Sequence, residues 1–533
     1  MAKRILSLVL TLMIVICMSS CVHNTNSAGN EVLTETEKKE DRENYVRGGI
    51  LNLCIFEVDS INPLLTKNQS NLDVLSLMFD GLFKVFDDYS LENSLCESFS
   101  VSEDGLNYSF NIRTGVKFHD GSELSAKDVN ASFEFMMEED GPYSKRFDKV
   151  ESTSAEGMVW NVKLSSKIVN FPALLDFPII PSYDAKANTT ISDISYIPNG
   201  TGIYKVESYK TTKELHLVIN ENHFSGKYPN IPDIKISFVK DKSTAISMFE
   251  NLYVDALGES VANPDEYTPK RKNIKMILYP KNTFTFLGIN NQNPILLNSL
   301  TRRAISLSID KKALADESKT RVSIPADVPV NPHFVYYGDM IEKIAYDKET
   351  AKTLLADDGF YDSDGDGVLE KEMYGESHVA KLDILVNSEN ETRINIAEKI
   401  KAFLADIGID SDVVAVDFDT YTEKINAKDY DLFVGSINIS QNNDLSFMFE
   451  TDKNMFGFSS QRVDLCLNQL GVLSNNDVIK NVYADLCQYF TEDMPIVSLY
   501  FDNGILLCNN KIKGNINPAQ SNVFINIEEW YIK

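Results

Sequence analysis

The stretch "SEDGLNYSFNIRTGVKFHDGSELSAKDV" spans Ser102–Val129 and contains His119 beside Asp120. Asp104-Gly105, Thr114-Gly115 and Asp120-Gly121 are turn dipeptides, so the segment reads as short β pieces joined by tight turns. Ser125 stands three residues before Asp128, the spacing of a helix capping box. Val129, Phe133 and Met136 follow at i, i+4 and i+7, one apolar helix face. The His119–Asp120 pair invites a catalytic reading, but neighbouring side chains on a strand point to opposite faces. A general base also needs a nucleophile and an orienting group around it. The segment therefore reads as strand, tight turn and capped helix, and His119 as a structural residue.

Upstream, Lys3 and Arg4 precede a mostly apolar run, Ile5–Met18, which ends in Ser19-Ser20-Cys21. A basic start, a short apolar stretch and small residues before a cut form a secretory signal over residues 1–20. The run is shorter than the ~20 apolar residues of a membrane-spanning helix. Cys21 resembles the lipid-attachment cysteine of bacterial lipoproteins; it would become the first mature residue and carry lipid, palmitate included. Residues 21–47 are polar and charged and read as a flexible tether. As a coil, the 26 residues from Val22 to Arg47 reach roughly 28 Å. The expected location is the outer face of a cell membrane, on the extracellular or periplasmic side.

The chain carries 78 acidic against 51 basic residues. That balance repels phosphate backbones and excludes nucleic acid as a partner. Five cysteines besides Cys17 and Cys21 are scattered, without a CxxC pair, and suggest neither a disulfide framework nor a zinc site.

Downstream of Gly48, "GILNLCIF" reads as a strand, Ser60–Pro63 as a turn and Asn71–Leu82 as an apolar helix pattern. The second half alternates. "KETAKTLLADDGF" and "RINIAEKIKAFLADIG" are helices stopped by Gly359 and Gly408. "KLDILV" and "DSDVVAV" are strands, and "YTEKINAKDYDLFVGSI" is a helix followed by a strand. This is an α/β pattern. In "DSDGDGVLEKEM", Asp362, Asp364 and Asp366 match the first half of a calcium loop, but Met373 stands where a bidentate Glu is required. A solvated acidic turn is the alternative. Nucleophile elbows, phosphate loops, metalloprotease helices and dinucleotide fingerprints are absent. No catalytic residue and no cofactor are expected.

Eight segments together resemble the extracellular solute-binding proteins of family 5, the oligopeptide- and dipeptide-binding lipoproteins of ATP-binding cassette (ABC) importers. They are "SINPLL" with "LMFDGLF", the Ser102–Val129 stretch, "NGTGIYKVESY", "NHFSGKYPNIPDIKISFV", "AISMFENLYVDA", "FLGINNQNPILLNSLTRRAISLSIDKKAL" and "AYDKETAKTLLADDGFYDSDGDGVLE". The resemblance implies an α/β body of two lobes with a third, small β-rich insertion. Lobe I would comprise residues 48–89, 199–283 and 497–533, the insertion 90–198, and lobe II 284–496. Strands near Thr283–Asn290 and Ile496–Phe501 would cross between lobes as a hinge.

The implied function is non-enzymatic capture of a peptide or small polar solute by a monomer, and its delivery to an ABC permease. A ligand-sensing lipoprotein of the same fold, signalling to another partner, is the alternative. The ligand-binding positions that the resemblance implies are Lys67, Asn68 and Gln69, then Ser436, Ile437, Asn438 and Ser440, and Tyr500. Where family members carry a Trp and an amino-group-pairing Asp, this chain has Ile437 and Ser440. A neutral hydroxyl cannot supply a charge-assisted bond to a buried ammonium, so no standard pocket for a free amino terminus is expected there.

Overall fold

Strand Ile50–Phe56 begins the body and pairs in parallel with Asp233–Val239. The latter continues antiparallel into Glu214–Ile219 and Tyr204–Lys210, completing a four-stranded sheet. The computed structural model describes residues 47–185, 196–210, 213–258, 273–318, 322–338, 341–472 and 476–533. The expected signal, Cys21 and almost all of the tether lie outside them. Among the described residues no helix is long and apolar enough to cross a membrane.

The Ser102–Val129 stretch folds as its pattern predicts. Strands Cys96–Val101 and Asn107–Ile112 pair antiparallel, and Val159–Leu164 and Val150–Glu156 extend them into a four-stranded sheet. Helix Ala126–Glu138 covers that sheet. The Asp128 carboxylate accepts from both the Ser125 N–H and its hydroxyl, each at 2.9 Å, and so closes the helix start. Phe110, Phe133, Phe147, Trp160, Phe171 and Phe177 interlock between helix and sheet, and all are at least nine-tenths buried. Aromatic pairs of this kind contribute about 0.5–1.5 kcal/mol each beyond area burial.

A seven-stranded mixed sheet dominates the rest of the chain. Its spine is two long antiparallel strands, Ile274–Ile289 and Ile496–Asn509. Sixteen residues of strand extend about 53 Å, long enough to serve two lobes. On one side Leu432–Asn438, Ile384–Asn387 and Val413–Val416 join the spine, with helices Glu391–Ala405 and Phe418–Ala427 between them. Both helices lie where the apolar period placed them. Gly359 and Gly408 follow their helices with φ of 88° and 85°, left-handed values that glycine adopts without a steric penalty.

The spine's register shifts at two places, once between Thr285 and Phe286, where Thr285 pairs with Tyr500 and Phe286 with Ser498, and more widely just before Phe284. Pro280 pairs with Asn503 and Phe284 with Phe501, which leaves Lys281, Asn282 and Thr283 opposite Asp502. Bulges of this kind bend a strand and sharpen its twist.

One element is shorter than its pattern. The apolar run 71–82 is helical only over Gln69–Leu75, closed by Ser76. Leu77, Met78, Phe79 and Leu82 are nonetheless buried, in non-helical chain whose N–H groups and carbonyls bond to the 175–204 segments. Apolar residues that face a core on several sides do not require a helix.

His119 and Asp120 do not bond to each other. The His119 ring Nε2 lies 3.0 Å from the Gly202 carbonyl, and Asp120 accepts from the Tyr183 hydroxyl at 2.5 Å. Burial pushes the imidazole down to about 4, so it is neutral at physiological pH and ties the β-rich unit to the 199–202 segment.

Candidate functional site

The loop joining the first strand to the first helix is organised by one carboxylate. Asp59 accepts from Ser60 N–H (2.7 Å), the Thr66 hydroxyl (2.5 Å), the Asn71 amide (2.8 Å) and Lys67 N–H (2.8 Å). Asn68 then caps the helix: its side-chain oxygen accepts from Ser70 N–H, and its amide donates to the carbonyls of Phe56 and Glu57. The loop thus has a fixed shape, and it projects Lys67 and Gln69 outward.

These residues border a cavity of about 800 Å³. Its wall comes from five separate parts of the chain. The first loop contributes Phe56, Glu57, Asp59 and residues 67–70. The strand end and following loop contribute Asn438 and Gln441. The C-terminal segment adds Gln520 and Ser521, with Arg146 and the bulge residue Lys281 completing the wall. Among the described residues Phe56 is the one apolar member of the wall, and no His or Cys takes part.

The amides between these parts form a chain of bonds. Asn282 in the bulge donates its N–H to Gln520 Oε1 (2.7 Å) and its side-chain amide to Asn443 Oδ1 (3.2 Å), and it accepts from Asn331 (3.0 Å). Gln441 Nε2 donates to the Ala173 carbonyl at 2.5 Å, and Asn442 Nδ2 to that of Val169 at 2.7 Å. Asn442 is 2% exposed. The loop after Asn438 is therefore fastened to the β-rich unit.

Several residues implicated by the resemblance meet at this cavity: Lys67, Asn68, Gln69 and Asn438 all line it. Asn68 spends its side chain on the cap and the brace, so it shapes the wall and offers little to a solute. Gln69 gives its amide to Asp73 (2.8 Å) and keeps Oε1 uncommitted. Lys67 lies 3.6 Å from Asp140, both exposed. Ser436 and Ile437 sit within the sheet opposite Thr285 and Phe284. The Ser436 hydroxyl lies 3.3 Å from that of Thr285, and Ile437 packs on the apolar cluster beneath. Ser440 uses its carbonyl toward Asn443 N–H and the Asn282 amide.

Tyr500 departs from expectation. It is 3% exposed and packs in a hydrophobic cluster with Leu287, Val497 and Leu499. Burial pushes its hydroxyl up to about 12, so it is a core aromatic and not a cleft-lining one. Asp444, four residues beyond Ser440, caps Ser446 N–H at 2.9 Å and is spent there.

Asp362, Asp364 and Asp366 are exposed, with carboxylate oxygens within 4.8 Å of one another. The calcium-loop pattern stops where the sequence fails it. Glu370–Met373 is a strand paired with Glu376–Val379, so the chain leaves the loop before the twelfth position. Asp362 already accepts from the N–H groups of Gly365 and Gly367.

Arg146, Gln441, Gln520 and Asp59 were not singled out by sequence reasoning. Asp59 precedes a Ser-Ile-Asn-Pro turn, which is a readable signal for a loop-organising carboxylate. Gln441 and Gln520 belong to no motif, and chain geometry alone brings them to the cavity.

Comparison with known proteins gives the same picture. The family model of bacterial extracellular solute-binding proteins, family 5, matches residues 90–455. The chain is 23% identical to the oligopeptide-binding protein AppA of Bacillus subtilis over 99% of both chains. It is also 23% identical to the nickel-binding protein NikA of Staphylococcus aureus, over 85% of this chain and 89% of that one. The structure of HbpA2 from Haemophilus parasuis superposes with a TM-score of 0.74 at 19% identity, covering 91% of this chain and all of that one. The chain belongs to family 5 of the bacterial extracellular solute-binding proteins, and it is not an enzyme.

Proposed function

We propose that the chain is a lipid-anchored substrate-binding protein of an ABC importer, capturing a peptide or other small polar solute in the 800 Å³ cavity. The observation that carries this reading is the unspent bonding capacity of the wall. Gln69 and Gln441 each keep an oxygen that accepts, and the Asn438 amide keeps its two N–H donors. Such neutral, spaced capacity suits peptide groups and hydroxyls. The same wall argues against the ligands named for NikA and for the heme-binding protein A of Haemophilus influenzae, which is 24% identical over 80% of this chain and 82% of that one. A bare nickel ion would want His or Cys, and neither lines the cavity. A haem would want apolar walls, and Phe56 alone is apolar.

The wall's carboxylates support a refinement. Asp59 is consumed by four donors, whereas Glu57 has no bonding partner for its side chain among the described residues and is exposed. It replaces the missing family aspartate as the group that meets a solute ammonium, in a wetter and weaker setting.

Capture works by hinge closure. In this reading the bulge Lys281–Thr283, one of two register shifts in the two-strand spine, serves as the bending point between lobe I with its insertion and lobe II. The closed form is then presented to a membrane permease.

The deciding experiment is a thermal-shift screen of the purified chain against di- to pentapeptides, sugars and metal chelates. A binder at one hundred times its dissociation constant should add about 2.7 kcal/mol of stability. Stabilisation by a sugar or a chelate, with none by any peptide, would end the peptide reading. For the anchor, Cys21→Ala should move the protein from the membrane fraction to the medium or periplasm. Retention of the variant in membranes would rule out the lipid on Cys21.

A further inference from the structure

Behind the cleft lies a second cavity of about 440 Å³. It shares Gln69, Arg146, Gln520 and Ser521 with the first, so the two cavities adjoin at these residues. Most of its charged lining is internally neutralised. Arg146 pairs with Asp176 at 2.6 Å, and Lys227 with Glu528 at 2.7 Å. Asp80 accepts from Thr201 at 2.9 Å and lies 3.4 Å from His223 and 3.9 Å from Lys84. Glu92, opposite Lys84 across a two-stranded sheet, is exposed.

Among the cations of the lining, Arg113 is the exception. Its Nε donates to the Ser94 carbonyl at 3.1 Å, and its guanidinium carbon lies 5.6 Å from the ring centroid of Phe224. Among the described residues no carboxylate stands within ion-pair distance, and both terminal nitrogens of the fork lack a protein acceptor. Beside it, Ser94 is 2% exposed and its hydroxyl has no hydrogen-bond partner. Arg113, Phe224 and Ser94 all line the cavity. A buried hydroxyl without a partner is destabilising, and a partly buried guanidinium without a carboxylate adds to that cost. A planar anion in the cavity relieves both: the guanidinium fork matches a carboxylate through two parallel bonds, and the Ser94 hydroxyl supplies a third donor.

We propose that Arg113 and Ser94 form an anion subsite that holds a carboxylate of the bound solute. The proposal rests on the cleft reading above and specifies one end of the solute, with Glu57 facing the other. The test is calorimetric titration of the full chain with succinate, and separately with inorganic phosphate, at matched ionic strength and millimolar concentration. Succinate is expected to bind, and Arg113→Gln to weaken it about tenfold or more, the worth of a charge-assisted pair. Ser94→Ala should weaken it by a smaller factor. Arg113→Lys keeps the charge without the fork and should fall between wild type and Arg113→Gln, which covers the case in which the Gln variant fails to fold.

Equal succinate affinity in wild type and a folded Arg113 variant overturns the subsite, as does the absence of succinate binding. Tighter binding of phosphate than of succinate overturns the carboxylate assignment. A peptide from the screen that binds wild type and Arg113→Gln equally sinks the subsite but leaves the cleft reading intact. A screen without any hit, alongside Arg113-dependent succinate binding, sinks the cleft reading instead.

Discussion

Replacing Asp59 with alanine is expected to lower folding stability by about 3 kcal/mol and to abolish solute binding, because four donors lose one acceptor group. Hydrogen bonds to a charged acceptor are worth about 1.5–3 kcal/mol each, but some of these donors can reach water after the change, so the total falls well short of the sum. Asn71 cannot: it is fully buried, and the remaining acceptors for its side-chain N–H groups are Ser60 O and the Thr66 hydroxyl. The functional loss follows from geometry. Lys67 and Gln69 reach the cavity only because the 59–68 loop is drawn around this carboxylate.

Asp59→Asn separates the two roles. Its carbonyl can occupy the Oδ1 position, which serves Ser60, Thr66 and Asn71. Only the Lys67 N–H, bonded to Oδ2, is then lost, at a cost of about 1 kcal/mol. Urea unfolding of both variants and titration with a ligand from the screen give the comparison. An alanine variant within 1 kcal/mol of wild type, binding normally, would show that the loop holds its shape without Asp59.

The same loop shows how far the sequence could be read. Turn chemistry at Ser60–Pro63, the capping spacing Ser125–Asp128 and the apolar periods of 348–357 and 391–405 are local signals, each with a local cause, and the structure follows them. Lys67, Gln69 and Asn438 were reachable because the segments around them resemble a family. Tyr500 was misplaced because an aromatic on a crossing strand looks the same whether it faces a cleft or a core. Neighbours decide the matter, and Leu287, Val497 and Leu499 enclose it. Gln441, Gln520 and Arg113 carried no readable signal that they line the cavities. Their partners lie far along the chain: Gln441 reaches Ala173 across 268 residues, and Gln520 reaches Asn282 across 238. No spacing rule links positions so far apart, and the carboxamides that border the cleft owe their role to topology.

The strongest consequence of that topology concerns the loop 438–443, where the family resemblance pointed to a ligand-anchoring pair. Here the loop's amides face protein: Gln441 and Asn442 donate to carbonyls of the 169–173 segment, and Val169 is itself buried in the cluster that holds Phe433, Phe449 and Phe456. If 284–496 and 90–198 move as separate bodies about the bulge, these two bonds hold them together before any solute arrives. The double variant Gln441→Ala/Asn442→Ala should then favour the open form by about 2 kcal/mol, roughly a thirtyfold change in the open-to-closed ratio. Small-angle scattering of the unliganded protein would register it as a larger radius of gyration. Ligand affinity should fall in parallel, since solute must then supply the closure energy that the loop supplied before. Asn442 should contribute more than Gln441, because its amide is buried away from solvent, whereas Gln441 borders the open cavity. An unchanged radius together with unchanged affinity would mean that the loop is scaffold alone, and that closure is governed by the solute and the bulge.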